Sequence, residues 1–292
     1  MAADPKAVRS PERPPWMVRR VPSSAAIESM RVLFEQSSLH TVCESASCPN
    51  RGECFFRGTA TFLLMGDVCT RRCTFCAVRK GTPLELDRSE PASVARVVAR
   101  LGLRHAVLTS VTRDDLNDGG ATHFAQTINA VREASPGASV EVLVPDFRGK
   151  ASAIFRILKS RPDVVNHNIE TVPGLYAKVR PAANYGRSLR LLRQVSSDGR
   201  VVAKSGIMLG MGEERREVVA VMHDLLSAGC RFLTIGQYLP PTARHYPVRR
   251  YLEQEEYDEY ADLGREMGFA AVVSGPFVRS SYMAAEMLVS QT

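Results

Sequence analysis

No stretch of this chain stays apolar for the ~20 residues that a membrane-crossing helix needs, and no apolar signal core follows its start. The N-terminus carries acidic residues and few serines, which does not suit an organellar transit peptide, so the expectation is a cytoplasmic protein with no membrane partner. Basic residues are not interleaved with aromatics, and no zinc-finger or RNP pattern occurs, which argues against nucleic acid as a partner. The six histidines, His40, His105, His123, His167, His223 and His245, share no metal-ligand spacing. His223 falls in a helical pattern and reads as surface or packing. The two spaced cysteine pairs of a structural zinc site are also missing.

What remains is an ordinary polypeptide of 292 residues, 45% apolar and 24% charged, with ample material for one large core. Length alone suggests about two domains, but α/β barrels of this size are single domains. The net charge of +7 is most simply a solvated basic surface; the sharper reading is attraction to an acidic protein or to anionic cofactors.

The stretch TFLLMGDVCTRRCTFCAV, residues 61–78, carries the chemistry. Phe62, Leu63, Leu64 and Met65 form a short continuous apolar run bounded by Gly66 and Asp67, the pattern of a buried parallel strand. Cys69, Cys73 and Cys76 follow on the loop leaving its C-terminal end, where α/β folds place their chemistry. Three thiolates in C-x-x-x-C-x-x-C have no obvious fourth partner. Zinc and disulfides are the plain alternatives, but zinc wants four closed ligands and an intracellular chain of this size rarely carries a disulfide framework. An iron-sulfur cluster with three thiolates leaves one iron open to bind something else. CTRRCTFC, with Phe75 just before the last cysteine, resembles the signature loop of the radical S-adenosylmethionine (SAM) superfamily. That resemblance implies a 4Fe–4S cluster whose open iron is chelated by the methionine part of SAM. Its electron would cleave the sulfonium and give a 5′-deoxyadenosyl radical, which needs a dry, enclosed site.

Residues 1–20, rich in proline and arginine, read as an arm around Trp16, and 23–35 as a helix. The helix leads into TVCESASCPNRGECF, which sets Cys43, Cys48 and Cys54 on a loop of Ser, Pro, Asn and Gly. Its spacing C-x4-C-x5-C has no helical or strand period, and three cysteines within twelve positions point to a second metal cluster. The seventh cysteine, Cys230, reads as a small buried residue.

From residue 59 onward, strand-like runs at 61–65, 105–109, 140–144, 164–168, 201–207 and 232–235 alternate with helical segments at 93–101, 122–133, 152–159, 188–195 and 217–228. About six βα units in series imply a parallel sheet with right-handed crossovers. An acidic helix after Glu253, read as a solvated face, leads to a last short strand at 269–273. Polar residues recur at the strand ends: Thr109 and Ser110, Asn166, Asn168 and Glu170, Lys204 and Ser205, Gln237 and Tyr238.

Taken together, the two cysteine spacings and the stretches VTRDDLNDGGATHF, NHNIETV, KSGIMLGMGE, GQYLPPTARHYPV and SGPFVRSSY resemble the lipoyl synthase family, from about Thr41 to Tyr282. The resemblance implies a partial (β/α)6 barrel of the TIM type, open on one side, over 59–240. An N-terminal cluster-binding extension would occupy 1–58 and a C-terminal extension 241–292. It implies a radical SAM sulfurtransferase that inserts sulfur at C6 and C8 of an octanoyl chain amide-linked to a carrier lysine. Two 4Fe–4S clusters are implied, one on Cys69, Cys73 and Cys76, and an auxiliary one on Cys43, Cys48 and Cys54. Ser281, ahead of Ser280, would complete the auxiliary cluster, and Arg279 and Tyr282 would stand beside the reacting centre. A hydroxyl is a poorer ligand than thiolate for such iron, so that corner would be the labile one and the cluster a consumed sulfur source. SAM would meet Phe75, Thr109, Ser110, Asn168 and Glu170, with Arg180 or Arg187 on its carboxylate. In NDGGA, Asp118, Gly119 and Gly120 offer backbone for close approach to its methionine part, a plain turn being the alternative. His167 and His245 would line the site. The implied partners are octanoylated lipoyl-carrier domains (H protein or E2 subunits), a ferredoxin or flavodoxin reductant, and an iron-sulfur carrier that rebuilds the auxiliary cluster. A radical enzyme that uses its second cluster only for electron transfer or substrate binding, and a non-enzymatic two-cluster electron carrier, are the rival readings.

Overall fold

Apolar runs that alternate with amphipathic segments fold as βα units in the computed structural model, which describes residues 11–17, 24–42, 48, 50 and 61–289. Helix α1 (Ser24–Gln36) precedes β1 (His40–Thr41), β2 (Thr61–Leu64), and the short strands β3 (Val68–Cys69) and β4 (Arg79–Lys80) that flank the cysteine loop. Helix α2 (Glu90–Arg100) leads to β5 (His105–Ser110), α3 (Ala121–Ala134), β6 (Ser139–Leu143), α4 (Ala151–Lys159) and β7 (Val164–Asn166). A single turn, α5 (Tyr176–Val179), and α6 (Tyr185–Ser196) precede β8 (Val202–Leu209), α7 (Arg215–Ser227) and β9 (Phe232–Gln237). The chain closes with α8 (Gln254–Met267), β10 (Ala271–Gly275) and α9 (Ala284–Val289).

The main sheet runs β1-β2-β5-β6-β7-β8-β9-β10. Every pairing from β2 to β10 is parallel, and β1 adds antiparallel to β2, with His40 opposite Leu63. Strands β2 and β9 are buried at every position because helices cover one face and the sheet's own interior the other. The helices supply matching stripes. In α4, Ala153, Ile154, Ile157 and Leu158 are buried while Phe155 on the opposite side is exposed.

Alternation along the strands divides inward from outward side chains. Leu63, Thr109, Leu143, Gly206, Thr234 and Gly236, from five different strands, line one cavity, so the sheet curls around it. At the opposite end, Val164 and Phe232, near the strand starts, pack on Met287 of α9, which closes the bottom. Between the two lies a charged layer. Lys204 Nζ donates to both oxygens of Glu141 at 3.0 Å, and both side chains are buried.

The last strand departs from the sequence expectation in place and in membership. It covers Ala271–Gly275 rather than 269–273, because Gly268 (φ +106) caps α8 and the Phe269 amide still bonds back to Gly264. It also joins the main sheet beside β9, giving seven consecutive parallel strands where the sequence pattern implies about six units. Strand β7 ends at Asn166 instead of 168, since Glu170 takes a left-handed φ of 67° and rejoins β8 only through an isolated bridge to Ile207. Strand β8 runs on to Leu209. Cys230 is a buried core residue, and His223 is exposed on α7. Most of the expected N-terminal arm lies outside the described residues; within it, Pro15–Met17 forms one 3-10 turn with Met17 buried.

Candidate functional site: a cysteine loop over a polar strand-end cavity

The cysteine loop is tied down on every side. At its root, Met65 adopts φ 66° and Gly66 φ 85°, turning the chain sharply out of β2. The Met65 amide is held by both oxygens of Glu90, at 3.1 and 2.9 Å, and Glu90 in turn meets His123 Nε2 at 2.5 Å. Thr70 bonds the carbonyl of Thr112, and Thr74 donates its amide to Val179 and its hydroxyl to Lys178. The Tyr246 amide donates to Thr74, and His245 Nε2 lies 3.2 Å from the Cys76 carbonyl.

Arg71, inside the C-x-x-x-C spacing, supplies a charged anchor. Its guanidinium reaches Asp114 at 2.7 Å and the fully buried Asp146 at 2.5 Å, and Arg187 closes on Asp146 at 3.0 Å. Burial alone would raise the Asp146 carboxyl, but the bond and charge of Arg71 outweigh it and hold it down at about 2. The loop is therefore fastened to the segments that follow β5 and β6 by charge-assisted bonds.

Cys69, Cys73 and Cys76 all line the cavity, which has a volume of about 320 Å³. Burial pushes the Cys76 thiol up to about 11 and raises Cys73 as well, with the neighbouring cysteines adding to both. Without metal these groups are thiols, and binding iron must expel their protons. Among the described residues no three His, Cys, Asp or Glu converge on a single ion. A cluster asks for something different, because each thiolate takes its own iron.

The rest of the cavity wall fits a polar cofactor with an anionic end. Ser110 Oγ, Asn168 Oδ1 and Arg180 Nε are buried there and have no hydrogen-bond partner among the described residues. Such atoms are costly unless a ligand or water satisfies them. Thr109 donates to the Leu143 carbonyl, Asn168 donates to Glu170 at 3.2 Å, and burial raises the Glu170 carboxyl despite nearby Arg180. Arg180 stacks 5.4 Å over the Tyr176 ring and donates to the carbonyls of Asn168 and Ile169, which fixes its guanidinium beside the cavity. Glycines keep the space open. A Cβ on Gly206 would come within 2.6 Å of Thr234 Oγ1, and one on Gly236 within 2.2 Å of the Val278 carbonyl. Phe75, Val111, Leu143, Ile207 and Met208 give the remaining wall an apolar character.

Several expected residues are placed elsewhere. Asp118, two residues ahead of the Gly120 that opens α3, accepts from the amides of Gly120 and Thr122, while Gly119 packs on Phe147 and Gly120 on Met65. None of the three lines the cavity; the plain-turn alternative describes this stretch. Arg187 serves Asp146 instead of the cavity. Arg279 and Ser280 line the cavity, whereas the half-buried Ser281 and Tyr282 sit just beyond that wall. Cys43 and Cys54 lie outside the described residues. Cys48 is half-buried against the core, and two residues on, Asn50 Nδ2 donates to the Phe277 carbonyl at 2.6 Å. His167 does line the cavity; buried between the Val144 carbonyl and Ser188 Oγ, it is driven down to about 4 by burial and by the Arg180 charge. No local pattern marks Asp146, and the sequence signals Arg71 only as one of two arginines between Cys69 and Cys73.

Residues 63–225 match the radical SAM superfamily. The chain is 52% identical over 273 residues to "Lipoyl synthase" of Chlorobium chlorochromatii, covering 93% of each chain. It is 54% identical over 275 residues to "Lipoyl synthase" of Rubrobacter xylanophilus, covering 94% of this chain and 86% of that one. Among solved structures, the FeFe-hydrogenase maturase HydG from Carboxydothermus hydrogenoformans shares the fold, with a TM-score of 0.57 at 15% identity over 78% of this chain and 65% of that one. No described helix is long and apolar enough to cross a membrane. A cysteine triad over an unsatisfied polar cavity, on a parallel α/β core that these relatives share over nearly its whole length, places the chain in the lipoyl synthase family of the radical SAM superfamily.

Proposed function

We propose that the chain inserts sulfur at C6 and C8 of an octanoyl group on a carrier lysine, giving the lipoyl cofactor, in a cavity at the C-terminal strand ends of a partial (β/α)6-type barrel. The observation that carries the reading is the meeting of Cys69, Cys73 and Cys76 with Asn168, Glu170 and Arg180 around one cavity. No side chain can be tuned to deprotonate unactivated methylene or methyl carbons, so acid-base catalysis is not available and the cavity has to serve a radical. When bound, two 4Fe–4S clusters and SAM supply that radical and the sulfur.

The chain's own residues hold and screen. Cys69, Cys73 and Cys76 bind one cluster, and Arg71, through Asp114 and Asp146, keeps their loop over the cavity. Arg180 faces the carboxylate of SAM, while Asn168 and Glu170 receive its ammonium or hydroxyls. Ser110 supplies one more donor, Phe75 packs beside the cofactor, and the apolar wall from Leu143 to Met208 excludes water along the acyl chain. Cys43, Cys48 and Cys54 hold the auxiliary cluster, with Ser281 as its fourth and weakest ligand. The Asn50 bond to Phe277 supports that pairing, since it ties the first cysteine segment to the segment that ends in Arg279, Ser280, Ser281 and Tyr282. Octanoylated H protein or E2 domains supply the substrate, a ferredoxin or flavodoxin the electrons, and an iron-sulfur carrier rebuilds the auxiliary cluster.

Anaerobic reconstitution with iron and sulfide, followed by mass spectrometry with SAM, an octanoyl-lysyl peptide and a reductant, tests this reading. About eight irons per chain, 5′-deoxyadenosine, and a peptide that gains two sulfurs as iron is released are expected. SAM cleavage with no sulfur gained and the second cluster intact would contradict it, and would favour a radical enzyme that uses that cluster otherwise.

A further inference from the structure

Four exposed cations lie on or beside the cysteine loop, none of them lines the cavity, and nothing in the sulfur-insertion chemistry uses them. Arg72 lies within the loop, between Cys69 and Cys73. Lys80 is the strand partner of Cys69 in the β3–β4 pair. The carbonyl of Lys178 accepts from Thr74 Oγ1 at 2.8 Å. Arg244 precedes His245 and Tyr246, which bond the carbonyl of Cys76 and that of Thr74. All four side chains are exposed, and none of them forms an ion pair among the described residues. Other cations nearby are neutralised: Arg79 is paired with Asp67, and Arg71 with Asp114 and Asp146. A collar of exposed positive charge, without an ion pair among the described residues, is thus tied by backbone bonds to the three-thiol loop and lies outside the cavity's lining.

We infer that this collar is the docking face for an acidic one-electron donor protein. The inference rests on the reading that Cys69, Cys73 and Cys76 hold a redox cluster. The inner side of the loop faces the cavity that SAM and the acyl chain must fill, so an external donor reaches the cluster by the shortest path from the outer side. The step is a single-electron transfer, in which the donor is oxidised by one electron and the cluster reduced by one, with no bond or proton exchanged. Complementary charge at such a face raises the encounter rate and orients the donor, an effect that salt weakens.

The test compares two reductants on the reconstituted full chain with a short octanoyl-lysyl peptide. Dithionite, a small anion, needs no docking face; a photoreduced acidic flavodoxin does. The triple variant Lys80→Glu, Lys178→Glu, Arg244→Glu leaves every proposed ligand in place. With subsaturating flavodoxin at low ionic strength, its rate of 5′-deoxyadenosine formation is expected to fall about tenfold or more, and the salt dependence of that rate to flatten or invert. Its dithionite-supported rate and cluster absorbance are expected to match the unaltered chain. The glutamine triple variant, which neutralises without reversing, should fall between the two. Equal rates with flavodoxin in all three proteins would overturn the inference, as would an equal loss under both reductants. So would a dithionite-supported loss confined to an intact octanoylated carrier domain, which would assign the collar to the carrier. Failure of the unaltered chain to cleave SAM even with dithionite would instead remove the cluster reading, and the collar's role with it.

Discussion

Two buried charged groups lie on the inner side of the curled sheet, and they are built to opposite rules. In the lower one, Glu141 and Lys204 meet through two bonds of 3.0 Å, and the lysine charge, working against burial, keeps the carboxylate ionised. In the upper one, Asn168 Oδ1, Ser110 Oγ and Arg180 Nε have no partners among the described residues, and burial raises the carboxyl of Glu170. The lower layer pairs its charges with each other and acts as structure, even though Asn166 Oδ1 and His105 Nε2 beside that pair have no hydrogen-bond partner among the described residues. The upper layer holds its capacity for something absent from the chain, and it is the one that faces the three thiols. Buried charge by itself does not mark a site; unsatisfied buried polarity gathered around a cavity does.

The contrast can be broken in order of effect. Cys73→Ala should reduce SAM cleavage to background, read as 5′-deoxyadenosine by mass spectrometry; retained cleavage would remove this cysteine from the ligand set. Next, Lys204→Met strands the Glu141 carboxylate and should cost about 3–5 kcal/mol in urea unfolding of the metal-free chain. Adding Glu141→Leu should recover most of that, and equal stability of the single and double variants would show that the pair is not coupled. In the upper layer, Glu170→Gln should leave unfolding within about 0.5 kcal/mol while weakening SAM binding roughly tenfold, the loss of one charge-assisted bond. A large stability cost with unchanged SAM affinity would move Glu170 into the structural class.

The smallest effect is one of pH. His167 titrates at about 4 in the folded chain against an ordinary 6.5, because it is buried and near Arg180. The unfolded chain therefore binds this proton first as pH falls. The stability it contributes is complete above about 6.5, declines toward about 4 and is flat below, with a slope of at most about 1.4 kcal/mol per pH unit. His167→Gln should flatten that slope in urea titrations at pH 5 and 7; an unchanged slope would assign it to other groups.

The parts legible in the sequence were those whose signal is local. Phe62 to Met65 read as a buried parallel strand because both its faces are covered, and the three cysteines follow within a dozen residues. Thr109, Ser110, Asn168 and Glu170 were visible as polar residues recurring at one end of successive strands. Pairings between distant residues were not legible. Arg71 finds Asp146 75 positions away, and Lys204 finds Glu141 63 positions away. In SVEVL the glutamate looks like a solvent-facing strand position until a lysine two strands along turns up on the same inner face. NDGG was ambiguous for a physical reason: an aspartate followed by two glycines suits both close backbone approach to a ligand and a plain turn, and here it forms the turn into α3.

The most direct test of the central claim follows the sulfur itself. The chain would be reconstituted with iron and sulfur-34 sulfide, freed of excess sulfide, and mixed with SAM, reductant and octanoyl-lysyl peptide for a single turnover. The account predicts a product with two heavy sulfurs, no more than one product per chain, and none from Cys48→Ala protein that still cleaves SAM. A product carrying sulfur of natural abundance, or heavy product from the Cys48→Ala chain at the unaltered yield, would contradict it.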